Sequence, residues 1–199
     1  MMRIILACAA ALVLCVGLAP PADATSIREL DLDTLVETAD VILLGTAGAS
    51  ESVTRGKRFV TRTPLTVERV VKGSAPGSVV VETAGGRSGN IGQRVSGTAR
   101  FADGEQIIVF LTRLESGAYR VRGMSQGKLT VVPGLAGGRV LRDLGGLTLV
   151  GADGARAGSD GQAMPLDDFL VDLAVRVTRA ARLEAETLAT PPAAGEVAR

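Results

Sequence analysis

The segment Ile107-Ile108-Val109-Phe110-Leu111 is the densest apolar run beyond the N-terminal leader, and runs of its kind decide what this chain can fold into. Such a run suits a central strand covered on both faces better than a helix, which needs ten residues or more to be recognised. Val41-Ile42-Leu43-Leu44 has the same character and is bounded by Gly45 and Gly48. Residues 59–71 are extended in character, with β-branched side chains at Val60, Thr61, Thr63, Thr66, Val67, Val70 and Val71. Lys72-Gly73 through Pro76-Gly77 is a turn, so residues 59–71 and 78–83 predict a long hairpin, with Pro64 marking an edge or a bulge. Residues 118–123, 128–132, 139–142 and 147–150 add shorter strands. Residues 50–57 read as a polar connection, and the glycine-rich residues 84–104 as a long ordered loop crossing the fold.

Helical spacing occurs at both ends. Residues 27–39 predict a short helix, with Asp31 as N-cap, Leu32, Leu35, Val36 and Ala39 on one face, and Asp40 ending it. Pro165 opens a second helix whose apolar face is Leu166, Phe169, Leu170, Leu173 and Val177. Its acids Asp167 and Asp168 lie in the first turn and Arg176, Arg179 and Arg182 follow, as the helix dipole prefers. The order is helix, several strands, helix, and the short turns disfavour βαβ crossovers. The expected fold is therefore mainly β with flanking helices (α+β). It is a small OB-like antiparallel β-barrel of five or six strands with a C-terminal amphipathic helix, a sandwich being the alternative.

The first 24 residues have the three parts of a secretory signal. Arg3 supplies the charge, an apolar core follows, and Ala22 and Ala24 stand where a signal peptidase reads small residues. That core is about 15 residues, short of the roughly 20 a spanning helix needs. The expectation is an exported protein, periplasmic or extracellular, with one domain over 25–189, a disordered tail over 190–199 and no membrane span after cleavage.

Absences narrow the chemistry. The chain has no histidine, and its two cysteines, Cys8 and Cys15, leave with the signal. Ser-His-Asp and Cys-His nucleophilic sites are thereby removed, as are the usual zinc and copper ligand sets and any disulfide. No metal and no cofactor is expected. One tyrosine, no tryptophan and a net charge of +1 argue against a base-stacking platform and against nucleic acid. Gly85-Gly86-Arg87-Ser88-Gly89-Asn90-Ile91-Gly92 lacks both the dinucleotide and the Walker spacing, and no helix pattern follows it. The Asp153 and Asp160 region lacks the ligand order of a calcium loop. Asp167 and Asp168 are adjacent on a helix and point about 100° apart, so they do not form an acid–base pair. Arg176, Arg179 and Arg182 read as a solvated stripe. Arg87, Asn90, Arg94 and Arg100, on or beside the glycine-rich loop, are the candidate binding residues, because arginines on an ordered loop suit carboxylates and phosphates.

Four motifs follow one another along residues 35–132. They are Ala39-Asp40-Val41-Ile42-Leu43-Leu44-Gly45, Val67-Glu68-Arg69-Val70-Val71-Lys72-Gly73, Gly85-Gly86, and Gly104-Glu105-Gln106 running into the densest apolar run. In this order the chain resembles a group of uncharacterised bacterial exported proteins with a small β-barrel domain, whose motifs carry no known activity. It also distantly resembles the netrin-like, OB-type barrels of tissue metalloproteinase inhibitors. Those bind zinc through an N-terminal cysteine, and cleavage here would expose Thr25, so that mechanism does not carry over. The function expected is a non-enzymatic binding or accessory protein whose partner is another exported protein or an envelope component. The alternatives are a protease inhibitor that wedges a loop into an active site and a carboxylate-dependent hydrolase.

Overall fold

The structure, a computed structural model, describes residues 26–134, 137–142, 148–150, 156–157 and 163–189. The expected signal, the tail and most of the Asp153–Asp160 loop lie outside the described residues. The strands are β1 (Ser26–Arg28), β2 (Val41–Ala47), β3 (Glu51–Arg55), β4 (Arg58–Lys72), β5 (Ser78–Ala84), β6 (Gly86–Ser88), β7 (Ile91–Gln93) and β8 (Gln106–Arg113). They continue with β9 (Tyr119–Val121), β10 (Lys128–Val132), β11 (Arg139–Arg142), β12 (Thr148–Val150), β13 (Arg156–Ala157) and β14 (Met164–Pro165). Helix α1 covers Leu32–Thr38 and α2 covers Leu166–Ala189.

Five strands close a barrel in the order β2-β4-β5-β9-β8 and back to β2. All these pairs are antiparallel except β5 with β9, which run parallel through a single register pair, Val81 with Tyr119. The expected small barrel is thus present, closed through one short parallel seam. β8 divides its outer edge: Leu111, Thr112 and Arg113 pair with β9, while Ile107, Ile108 and Val109 pair with β10. From β10 the sheet leaves the barrel through β11 and β14 and leads into α2.

This division explains the continuous apolar runs. Val41 and Leu43 of β2 and Ile107, Val109 and Leu111 of β8 fill the barrel together with Leu65, Val79 and Val81. Ile42, Leu44, Ile108 and Phe110 point the other way, against Leu35 and Val36 of α1 and Phe169, Leu170 and Leu173 of α2. Strands buried on both faces cannot alternate apolar with polar. Each fully buried Leu or Phe contributes about 1.5–3 kcal/mol in transfer from water.

The motif residues serve this architecture. Gly45 lies at a bulge of the β2–β4 ladder, and a Cβ there would meet the Thr66 carbonyl oxygen at 2.4 Å. Gly73, at φ +76°, passes equally close to Asp40. Lys72 Nζ donates to the carbonyls of Val36 and Glu37 at 2.7 and 3.1 Å, capping the end of α1. Glu68 accepts from Thr46 and Gln106. Glu105 accepts from the buried Lys128 at 2.5 Å, from Thr130 at 2.6 Å and from the Ala102 amide at 3.0 Å. These side chains stitch the barrel.

Several sequence readings change. Ser26–Arg28 is a strand paired in parallel with Thr148–Val150, so α1 starts at Leu32, directly after its N-cap Asp31, whose carboxylate accepts from Thr34 N at 2.7 Å. Residues 51–55, read as connection, are β3, a strand with one half-buried apolar side chain, Val53. The long loop contains the β6–β7 hairpin, formed almost entirely of exposed residues. Pro165 closes β14, and the helix begins one residue later. Pro64 sits where β4 exchanges β3 for β2 as its neighbour, a place that asks for no proline N–H. Arg176 is not a merely solvated charge: it donates to Asp172 at 2.8 Å and to Asp33 at 2.7 Å, and Arg179 reaches Asp33 at 2.7 Å, tying α2 to α1. No helix of the described residues is long and apolar enough to cross a membrane.

Candidate functional site

Two adjoining clefts open at the end of the barrel where β4 begins and β5 ends. They share Thr83, Ala84, Gly85, Gln93, Thr98 and Ala99 as a common wall. The larger, about 740 Å³, runs between β5 and β9. Phe59, Val60, Val121 and Met124 contribute apolar surface, and Arg55, Arg58, Arg113 and Arg120 contribute charge. Arg55 Nη2 is spent on Glu82 at 2.7 Å, with Arg62 Nε 3.5 Å from the same oxygen. The Arg113 guanidinium donates to the Ser74 carbonyl and lies 5.7 Å from the centre of the Tyr119 ring. Arg58 and Arg120 have no carboxylate partner among the described residues. Glu115 stands on the turn between β8 and β9, at the rim.

The smaller cleft, about 390 Å³, lies under the β6–β7 hairpin. Arg87, Arg94 and Arg100 line it, with the hydroxyls of Ser50, Ser52, Thr61, Thr63, Thr83 and Thr98, and no carboxylate is among its lining residues. The hydroxyls on β3 and β4 are partly committed: Ser50 Oγ lies 2.8 Å from Thr63 Oγ1, and Thr61 Oγ1 donates to the Gly85 carbonyl at 2.9 Å. Ser52 Oγ accepts from the Arg87 amide at 3.1 Å, and this bond seats the hairpin on the barrel. A Cβ at Gly86, φ +146°, would run into Ser52 at 2.7 Å, so only glycine allows that seat. Thr98 Oγ1, on the shared wall, is buried without a partner among the described residues.

Of the residues singled out in the sequence, Arg87, Arg94 and Arg100 converge on this one cleft, whereas Asn90 sits at the hairpin turn, away from it. Arg87 Nε donates to the Gly89 carbonyl at 3.0 Å and keeps its Nη groups for other use. Sequence reasoning missed Arg58 and Arg120, which reach the neighbouring cleft from strands far apart in the chain. The basic turn Arg55-Gly56-Lys57-Arg58 was the available signal. Opposite charges concentrate elsewhere: Asp31, Asp33, Glu37, Asp167, Asp168 and Asp172 lie on or beside the two helices. The two clefts together are lined by seven arginines against two glutamates, Glu82 and Glu115, so this end of the barrel is positive. No protein-family model matches the chain, and no curated protein is significantly similar to it.

Proposed function

We propose that this protein is a non-enzymatic binding module whose ligand is an anion received by the twin clefts at the positive end of the barrel. The observation that carries the reading is the convergence of Arg87, Arg94 and Arg100 on a hydroxyl-lined cleft with no carboxylate in its lining. Guanidinium groups offer paired donors that match carboxylate and phosphate geometry, and hydroxyls adapt to the remaining acceptors. Neutralising those arginines from outside is what a ligand would do; inside the protein, Arg176, Arg179 and Lys128 have their own acids. An exported protein or an envelope component bearing clustered acids fits the compartment expected from the leader.

Fluorescence anisotropy with labelled polyglutamate and polyphosphate at low ionic strength tests this. Wild type binds at least one of them with an affinity that falls as salt rises, and the triple replacement Arg87→Ala, Arg94→Ala, Arg100→Ala weakens it tenfold or more. Equal binding by the triple variant, or no binding of either polymer by wild type, overturns the reading.

A further inference from the structure

Resting on that reading of the clefts, the geometry points to a specific mode and partner: an extended acidic peptide segment of another protein, added as a strand to the open edge of β5 in the larger cleft. β5 and β9 meet at one register pair and then diverge, and the 740 Å³ cleft is the gap between them. Which backbone groups face that gap follows from the β4–β5 ladder. Gly85 N donates to the Phe59 carbonyl and Val67 N to the Gly77 carbonyl, both at 2.9 Å, so it is the odd-numbered residues of β5 that exchange hydrogen bonds with β4. The even-numbered residues, Val80, Glu82 and Ala84, turn their N–H and C=O groups toward β9. Pairing of Val81 with Tyr119 consumes the Val80 carbonyl and the Glu82 amide. Among the described residues, the Glu82 carbonyl and both backbone groups of Ala84 are left on the cleft wall with no strand beside them, and Ala84 is exposed.

An unpaired edge is a template for another chain, and added strands take affinity from the main chain and selectivity from flanking pockets. Selectivity here comes from charge. Arg58 and Arg120 flank the gap with no carboxylate partner among the described residues, and the arginine cleft continues from it across the shared wall. Glu82 does not oppose an acidic strand, since Arg55 already holds it and Arg62 stands beside it. Phe59, Val60 and Val121 offer apolar surface to alternate side chains of the incoming segment. A peptide alternating acidic and apolar residues matches both features.

The probe is a short fluorescein-labelled peptide alternating glutamate and valine, compared with a twin N-methylated at alternate amides, which keeps charge and loses strand pairing. The parent peptide binds, the twin binds at least tenfold more weakly, and amide hydrogen exchange at Ala84 slows in the complex. Ala84→Pro removes the seam donor without touching the β4 ladder and loses the peptide by a similar factor. If that variant fails to fold, the methylated twin still decides. Equal binding of parent and twin, or unchanged exchange at Ala84, overturns strand addition and leaves the anion reading standing. So does polyphosphate or oligothymidylate binding where the acidic peptide does not. Absence of all anion binding removes both readings together.

Discussion

The helix-covered side of the barrel and its arginine-lined end are built on the same strands, yet they treat charge in opposite ways. Under the helices, Arg176 and Arg179 meet Asp33 and Asp172, and the apolar faces of β2 and β8 vanish beneath α1 and α2. At the open end, Arg58, Arg94, Arg100 and Arg120 have no acid partner among the described residues, and strand β5 keeps an unpaired edge. A region that exists to hold the fold closes its accounts internally. The open end keeps positive charge and backbone polarity unanswered among the described residues, and the proposed anion site is placed there for that reason.

If the comparison is right, substitutions on the two sides differ in kind, and this can be broken by measurement. The largest loss is expected for Glu105→Gln, which leaves the buried Lys128 ammonium without its counterion and costs about 3–5 kcal/mol. Urea denaturation reads it, and replacing both residues by apolar ones of similar volume recovers most of the loss.

Glu105 also sets an acid limit. Burial raises its carboxyl, but the hydrogen bonds from Lys128, Thr130 and the Ala102 amide outweigh that and hold it below the ordinary value of 4.5. Asp33 is held below 3.8 by the hydrogen bond from Arg176, opposed by a smaller burial effect. In both cases the unfolded chain binds the proton more readily, so stability is present above the ordinary carboxylate range and is lost as pH falls through the lowered folded values. Urea midpoints from pH 7 to pH 3 should fall mainly below about pH 4.5, and Glu105→Gln should flatten that slope. A midpoint that rises on acidification contradicts the assignment.

Leu173→Ala, in the fully buried contact of α2 with the barrel, costs about 3 kcal/mol by urea denaturation while leaving anion binding unchanged. Asp31→Ala removes the cap of α1 and costs about 1 kcal/mol in the same assay. At the other extreme, Arg94→Ala and Arg100→Ala change stability by no more than about 0.5 kcal/mol each, although together with Arg87→Ala they weaken polyanion binding tenfold or more. Should these arginine variants unfold the protein, the open end is structural and the contrast between the two regions fails.

Much of the scaffold was legible because it follows from local pattern. The runs at residues 41–44 and 107–111 announce strands buried on both sides, and the spacing Leu166, Phe169, Leu170, Leu173 announces the helix that covers them. What escaped had no local signature. β3 carries a single apolar side chain, the β6–β7 hairpin buries almost nothing, and β1 pairs with a strand more than a hundred residues away in the chain. The candidate site divides the same way. Arg87, Arg94 and Arg100 stand close together in sequence and could be named from it, but Arg58 of β4 and Arg120 of β9 come to line one cleft only when β5 and β9 close the barrel.

By itself, then, the sequence determined what is removed from water and which reactive groups are missing: apolar periodicity sets the barrel and its helices, and a chain without histidine has no imidazole to offer. The tertiary structure alone decided where the barrel closes through a single parallel pair and which arginines have no acid among the described residues. Solvent exclusion is written residue by residue, whereas an open strand edge and an uncompensated charge are properties of neighbours distant in the chain.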